Sequence, residues 1–315
     1  MRNEYLNKMK FLNIFKVLFG ISLLGFILYK IGIVSILETL KKTNFMIIVP
    51  AMVFCYCLFF ILGTINLKIL LDPIKRLTLK KLFLYHLVSW SFGLMLPSKI
   101  GEFSLIFLLK KEDVKIGQST AISVIDKSIT LITFVILAII GFFVFFKGKE
   151  RWVLIIIALS ILFLLGILLF SKTIRNIIKR LIGKKREYFA GFSKTLFSYL
   201  KYNKQVIVWN IILTLIKWVM ISSSLMFFYF LAYGEVVNPF FIVLITSILL
   251  IVGLIPITYD GIGLKTPAAV VLFAKLGIGS AVVASVFIID LISKYLVAYL
   301  IFLFLFDKKK LFQEN

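Results

Sequence analysis

LMLPSKIGE, residues Leu94 to Glu102, stops an apolar run at a proline and continues into a polar turn carrying a lysine, a glycine and a glutamate. GLIPITYDGIG, residues Gly253 to Gly263, does the same with Asp260 as its acid. In each, an apolar helix ends at a proline, which cannot donate to the helix ladder, and a second short apolar run resumes beyond the turn. These two breaks decide the architecture, because non-helical backbone at membrane depth persists only where protein or water satisfies its polar groups.

Working outward, KIGQSTAISVID (Lys115 to Asp126) matches GIGSAVVASVFIID (Gly277 to Asp290). Pairing Ile116 with Ile278 brings Gly117 onto Gly279, Ser123 onto Ser285 and Val124 onto Val286. Each half then reads as a span, a broken pair, a short loop and a long span with an aspartate inside it. The halves are residues 44–146 and 206–307, separated by a basic linker at 171–205.

The composition fits this reading. Of 315 residues, 61% are hydrophobic and 16% charged, with mean hydropathy +1.07, whereas soluble domains average about 45–50% apolar and about 25% charged. Apolar runs fall at 11–29, 45–65, 82–96 with 103–109, 118–146, 152–170, 206–232, 240–255 with 264–276, and 280–306. Unbroken crossings take about 20 residues. The expected fold is therefore an all-α polytopic membrane protein in one integral domain, with about six full transmembrane helices and two broken re-entrant hairpins. Eight transmembrane helices is the alternative if the breaks are kinks in structural helices.

Lysines and arginines number 37 against 14 acids, a net charge of +23. A nucleic-acid binder is excluded because the charge lies between apolar runs and not on a soluble face. Cys55 and Cys57 share one apolar stretch, which gives neither a disulfide framework nor a zinc spacing and reads as two small buried side chains. The one histidine, His86, cannot make a metal site alone and reads as a helix-end polar residue. No metal and no cofactor is expected. The basic, apolar N-terminus lacks a small-residue cleavage site and reads as an uncleaved anchor.

Basic loops are retained in the cytoplasm. That rule places loop 66–81, the linker 171–205 and Lys308 to Lys310 inside, and loop 233–239 outside, with both termini cytoplasmic at the plasma membrane. Loop 30–44 falls outside despite Lys30, Lys41 and Lys42. The two broken pairs then enter from opposite faces, which makes the repeat an inverted one, the pattern that marks midplane binding sites in secondary transporters. The linker reads either as an amphipathic helix on anionic lipid or as a solvated connection.

A charge at the centre of a membrane helix costs about 2.5–3.5 kcal/mol, so each is a candidate for function. Lys217 lies mid-span with no acid within four residues. Asp290 and Lys294 are four apart on one face, where they either neutralise each other or join a site. Asp126 and Lys127 lie about two turns into their span, and Lys127 could snorkel to the interface. The turns add Lys99, Glu102, Asp260 and Lys265. Pro97, Gly101, Pro256, Gly261 and Gly263 would shape the tips. Lys99, Lys217 and Lys265 would contact a phosphate, while Glu102, Asp126, Asp260 and Asp290 pair with lysines or relay protons.

At these residues the sequence resembles the lysylphosphatidylglycerol synthase transmembrane family, also described as flippase-like membrane proteins. LPSKIGE resembles the family's first signature, with Lys99 where arginine is common. Asp126-Lys127 matches its acidic-basic pair, though Thr130 stands where a further aspartate is usual. IPITYDGIGLKTPAA (Ile255 to Ala269) resembles the second signature, with Asp260 where glycine is frequent and Lys265 where arginine is usual. The likeness runs from about Asn44 to the end. It implies lipid work: in bifunctional members this region moves aminoacylated phospholipid between leaflets, and archaeal relatives are linked to polyprenyl-phosphate or glycolipid steps. The aminoacyl-transferase domain of the bifunctional members is not expected here, and neither is synthesis of the lipid.

The expectation is a protein that binds anionic lipid head groups and lets them cross, with a separate lipid-modifying enzyme as a possible partner. A membrane enzyme acting on lipid-linked phosphate and a non-transporting scaffold are the rivals. An intramembrane hydrolase would want a nucleophile beside a base, or a metal cluster. In a background lacking Cys55 and Cys57, Lys99→Cys and Asp260→Cys should react with an impermeant maleimide from opposite sides of the membrane; labelling from one side would remove the inverted repeat.

Overall fold

The computed structural model describes residues 22, 25, 29–95, 101–171, 191–254 and 263–307, and no strand occurs among them. The apolar runs become helices: α1 (Ile33–Lys41), α2 (Phe45–Leu71), α3 (Leu79–Met95), α4 (Ser104–Lys110), α5 (Ile116–Phe145) and α6 (Gly148–Phe170). After them come α7 (Phe192–Lys201), α8 (Lys204–Leu215), a π-helical segment (Ile216–Ser222), α9 (Ser223–Leu231), α10 (Pro239–Gly253), α11 (Lys265–Ala274) and α12 (Ser280–Asp307). Five stretches among the described residues are long and apolar enough to cross a membrane: Phe45–Leu71, Ile116–Phe145, Gly148–Ile167, Lys204–Leu231 and Ser280–Phe304. The chain is an all-α polytopic membrane protein.

The arms flanking the two breaks are short. α3, α4, α10 and α11 have 17, 7, 15 and 10 residues, each below the about 20 of an unbroken crossing. The turns between them, residues 96–100 and 255–262, lie outside the described residues, and with them Pro97, Lys99, Pro256, Asp260 and Gly261.

The chain forms two compact units. The first combines Met1–Val53, Gly93–Ile100 and Ser223–Asn315. In it α12 packs against α1, α9 and α11, and α10 against α9 and α11. Tyr229, Phe230, Ile242, Ile245, Phe273 and Val283 are fully buried there, and the Phe230 and Phe273 rings lie 4.6 Å apart. α10 starts where it does because the Asn238 side chain accepts the Phe240 N–H at 2.9 Å and Pro239 supplies a preset first helical residue.

The second unit combines Phe54–Phe92 and Gly101–Ser222. α5 is its central helix, packed against α4, α6, α7 and α8. Leu70, Leu71, Leu82, Leu109, Ile122, Leu196 and Tyr199 form one core cluster. At the end of this core Glu112 closes the connection after α4, accepting from Lys81 at 2.7 Å and Tyr85 at 2.5 Å. Burial pushes the Glu112 carboxyl up, but the Lys81 and Tyr85 hydrogen bonds and the charges of Lys81 and Lys75 outweigh it and hold the group below the usual carboxylate range.

Several expectations change. Within the 30–44 loop the structure forms α1, after Gly32 in the left-handed region at φ 99°. Loop 66–81 begins later than the charges imply, because α2 runs to Leu71 and buries Asn66. His86 is no helix-end residue: it lies inside α3, against the backbone notch left by Gly63 and among Phe59 and Phe60. Cys55 is buried but Cys57 is exposed. In the linker, 172–190 lie outside the described residues, while Phe192–Lys201 is a helix whose inner face docks on protein. The first apolar run, 11–29, lies largely outside them.

A Cβ on Gly63 would stand 2.1 Å from His86 Cε1. Gly63→Ala should therefore lower the unfolding free energy in detergent by about 1–3 kcal/mol, an overpacking cost, and His86→Ala in the same chain should recover most of it. Equal losses with and without His86→Ala would show that the notch does not set this packing.

Candidate functional site

The second unit gathers four of the charged residues singled out from the sequence, on α5, the π-helical segment and the turn leading into α4. Asp126 lies ten residues beyond Ile116, the first residue of α5, or about 15 Å along the helix at about 1.5 Å per residue. Half the about 30 Å hydrocarbon thickness is the same distance.

Two polar side chains on neighbouring helices converge on Asp126, and a third is bonded to one of them. Asn66 on α2 and Asn210 on α8 each bring Nδ2 to 3.4 Å from Asp126 Oδ1. Asn210 also donates to Asn66 Oδ1 at 2.7 Å, and Asn66 to Thr214 Oγ1 at 3.2 Å. Asn66, Asn210 and Thr214 are at most 1% exposed. Which amide atom is oxygen is fixed by this network of donors and acceptors. Asn210 Oδ1 and Ser123 Oγ, both buried, find no partner among the described residues.

The other carboxylate oxygen of Asp126 faces Lys127 Nζ at 3.4 Å, and Lys127 is salt-bridged to Glu102. Glu102 is anchored at both ends, since its carbonyl accepts the Ser89 hydroxyl of α3 at 2.5 Å. Lys127 is 46% exposed against 16% for Glu102 and 20% for Asp126. The lysine is thus the outermost of the three, and the acids lie behind it.

Lys217 occupies the second position of the π-helical segment and is buried. Its Nζ lies 5.6 Å from the Phe59 ring centre and 5.7 Å from that of Trp218. Trp218 in turn stands edge-on to Phe59 and Phe134, at 5.4 and 5.2 Å. A desolvated cation over aromatic faces gains about 2 kcal/mol or more, which offsets much of its burial. Lys217 also acts electrostatically on Asp126 and on His86. A π-turn is an irregularity that recurs at functional positions of helices.

The first unit holds the rest. Asp290 lies ten residues beyond Ser280, the first residue of α12, the same depth along its helix as Asp126. It is paired with Lys294. Tyr229 OH lies 2.6 Å from Ser293 Oγ, which donates to the Asp290 carbonyl at 2.9 Å. Gly263, at φ 90°, needs the left-handed conformation that glycine adopts without strain. The Lys265 side chain then lies across Gly253, where a Cβ would meet its Cε at 2.3 Å, so these two arms close through a lysine stem on a glycine. Gly101, in the second unit, is buried at the start of the turn before α4.

The family model described as the lysylphosphatidylglycerol synthase TM region matches residues 13–301. The chain belongs to this family. No curated protein and no solved structure matches it. As a member of the lysylphosphatidylglycerol synthase TM-region family, it is a multi-pass membrane protein related to lipid metabolism or flipping.

In this family member Glu102, Asp126, Lys127 and Lys217 share one unit, and Lys265, Asp290 and Lys294 the other. Asn66, Asn210 and Thr214 were not singled out from the sequence, because only formal charges were. The two asparagines interrupt apolar runs as plainly as Lys217 does, so the rule of costly polar residues, extended to amides, would have found them. Asn66→Ala and Asn210→Ala should each lower unfolding free energy by about 1–3 kcal/mol. Combined, they should cost clearly less than the sum, because each side chain bonds the other and both reach Asp126. Strict additivity in a double-mutant cycle would show that the network is not one unit.

Proposed function

We propose that this protein binds a phospholipid or polyprenyl-phosphate-linked lipid by its charged head group and moves it between leaflets, without making or breaking bonds in it. The observation that carries the reading is the compensated charge cluster of Glu102, Asp126, Lys127 and Lys217 within apolar helices. Two acids and two lysines held partly by each other can exchange partners with a phosphate and an ammonium together at no net change in charge, and with a phosphate alone by turning both lysines toward it. A head group entering such a site replaces lost hydration with fixed dipoles and charges, the requirement for crossing a layer that has no water. Membership of the family supports the lipid class.

In this reading Lys127, the most exposed of the cluster, meets the phosphate first, and Glu102 releases it. Lys217 leaves the Phe59 and Trp218 rings to follow. Lys99 and Lys265, at the two breaks, act as further phosphate contacts, with Asp260 as a partner. Asp290 with Lys294 forms the matching station in the second repeat, whose equal depth along α12 supports an inverted pair of halves. The plasma membrane, with both termini cytoplasmic, is the proposed location, and a separate lipid-modifying enzyme the proposed partner.

In vesicles reconstituted with purified protein, a fluorescent anionic phospholipid should cross at a protein-dependent rate, read by impermeant quenching of the outer leaflet. Lys217→Met and Lys127→Gln should each slow it at least about tenfold, equivalent to about 1.4 kcal/mol of barrier, and Lys99→Gln should slow it as well. Lys149→Gln, at an exposed position at the start of α6, should not. Wild-type rates in folded Lys217→Met and Lys99→Gln proteins would overturn the assignment.

A further inference from the structure

The short helix α7 carries apolar residues on two faces, and among the described residues only one is covered by protein. On the inner face Thr195, Leu196 and Tyr199 are buried, and the Tyr199 hydroxyl donates to the carbonyl of Leu70, next to the last residue of α2. Gly191, just before α7, lies against Gln118 in the first turn of α5, 3.6 Å from where its Cβ would be. Two residues separate the end of α7 from the start of α8. The helix thus lies across the ends of three candidate spans of one unit, at one face of it. The ends of spans are where hydrocarbon gives way to water.

The outer face is of another kind. Phe197, Leu200 and Tyr202 are 43%, 39% and 73% exposed, and Lys194, Lys201 and Lys204 are exposed beside them. Lys201 Nζ stands 5.2 Å from the Tyr202 ring centre. No acidic residue occurs from Gly191 to Gln205. Further along the same strand of sequence, α8 presents Trp209 at 54% exposure, the residue type that marks the membrane boundary. Left in water, this face would wet a phenylalanine and a leucine; placed in the boundary, the rings and Leu200 reach acyl chains while the lysines reach head groups.

We propose that α7 lies in the interface of the leaflet read as cytoplasmic and gathers anionic phospholipid head groups on Lys194, Lys201 and Lys204. Its inner face, joined to α2, α5 and α8, ties that lipid contact to the three helices that carry Asn66, Asp126 and Asn210. The inference depends on the chain spanning a membrane and not on its moving lipid.

The test uses the full chain lacking Cys55 and Cys57, with Leu200→Cys labelled by an environment-sensitive dye, in phosphatidylcholine vesicles holding a little spin-labelled phosphatidylglycerol or, separately, spin-labelled phosphatidylcholine. Both lipids should quench the dye, the glycerol lipid at least about fivefold more effectively, since one lysine near an anionic surface contributes about 1 kcal/mol, a fivefold partition factor. Lys194→Gln, Lys201→Gln and Lys204→Gln together, or high salt, should abolish the difference and leave the common quenching. Quenching by aqueous iodide and not by lipid would overturn the interfacial placement. Equal quenching by the two lipids would overturn the head-group contact.

Discussion

A carboxylate seated about 15 Å along a helix long and apolar enough to cross a membrane must be given donors by the protein. Much of the second unit follows from that demand at Asp126. Two asparagine amides and a lysine surround it, drawn from α2, α8 and α5 itself. Each donor fixes a helix. The amides are spent twice, once on the carboxylate and once on each other or on Thr214, so α2, α5 and α8 can shift only by giving up several bonds together. Between membrane helices, where lipid tails compete for apolar contact, such bonds supply direction that hydrophobic packing does not.

The lysines answer the same demand differently. Lys127 shares Glu102 and Asp126 and keeps an exposed edge, whereas Lys217 is sealed among rings in a π-turn. One cation sits between two carboxylates, and the other lies over aromatic faces while acting on Asp126 through space. The first unit solves its smaller problem locally, with Asp290 and Lys294 one turn apart on α12 and a tyrosine–serine pair beside them.

Much of this was legible in the sequence, because apolar length and interruption are strong signals. The long spans followed from apolar length and the family from LMLPSKIGE and IPITYDGIG, and α5 and α12 start within two residues of the runs that announced them. The site was legible only in its charges. Asn66 was assigned to a loop because Lys68 and the lysines after it dominate that stretch, yet α2 continues six residues past the expected end. The π-turn has no periodic signature within an apolar run, since every residue there suits a helix of either pitch. His86 misled because a lone polar residue gives no hint of a glycine twenty-three residues earlier that receives its ring. α1 was hidden by Lys30, Lys41 and Lys42, whose charge marks a boundary without excluding a helix.

The seat of His86 has a consequence of another sort. It is the single imidazole of the chain, stacked near Phe59, edge-on to Phe60, 3.4 Å from Thr64 Oγ1, and within electrostatic reach of Lys217, Lys127, Asp126 and Glu102. Isotope placed in histidine alone would give one magnetic-resonance signal from the middle of the charged cluster, free of overlap. Ring currents from two phenylalanines would set its frequency, so a departure of Lys217 from the Phe59 face, or an exchange of partners at Lys127, would be visible at that one nucleus without labelling any residue that takes part.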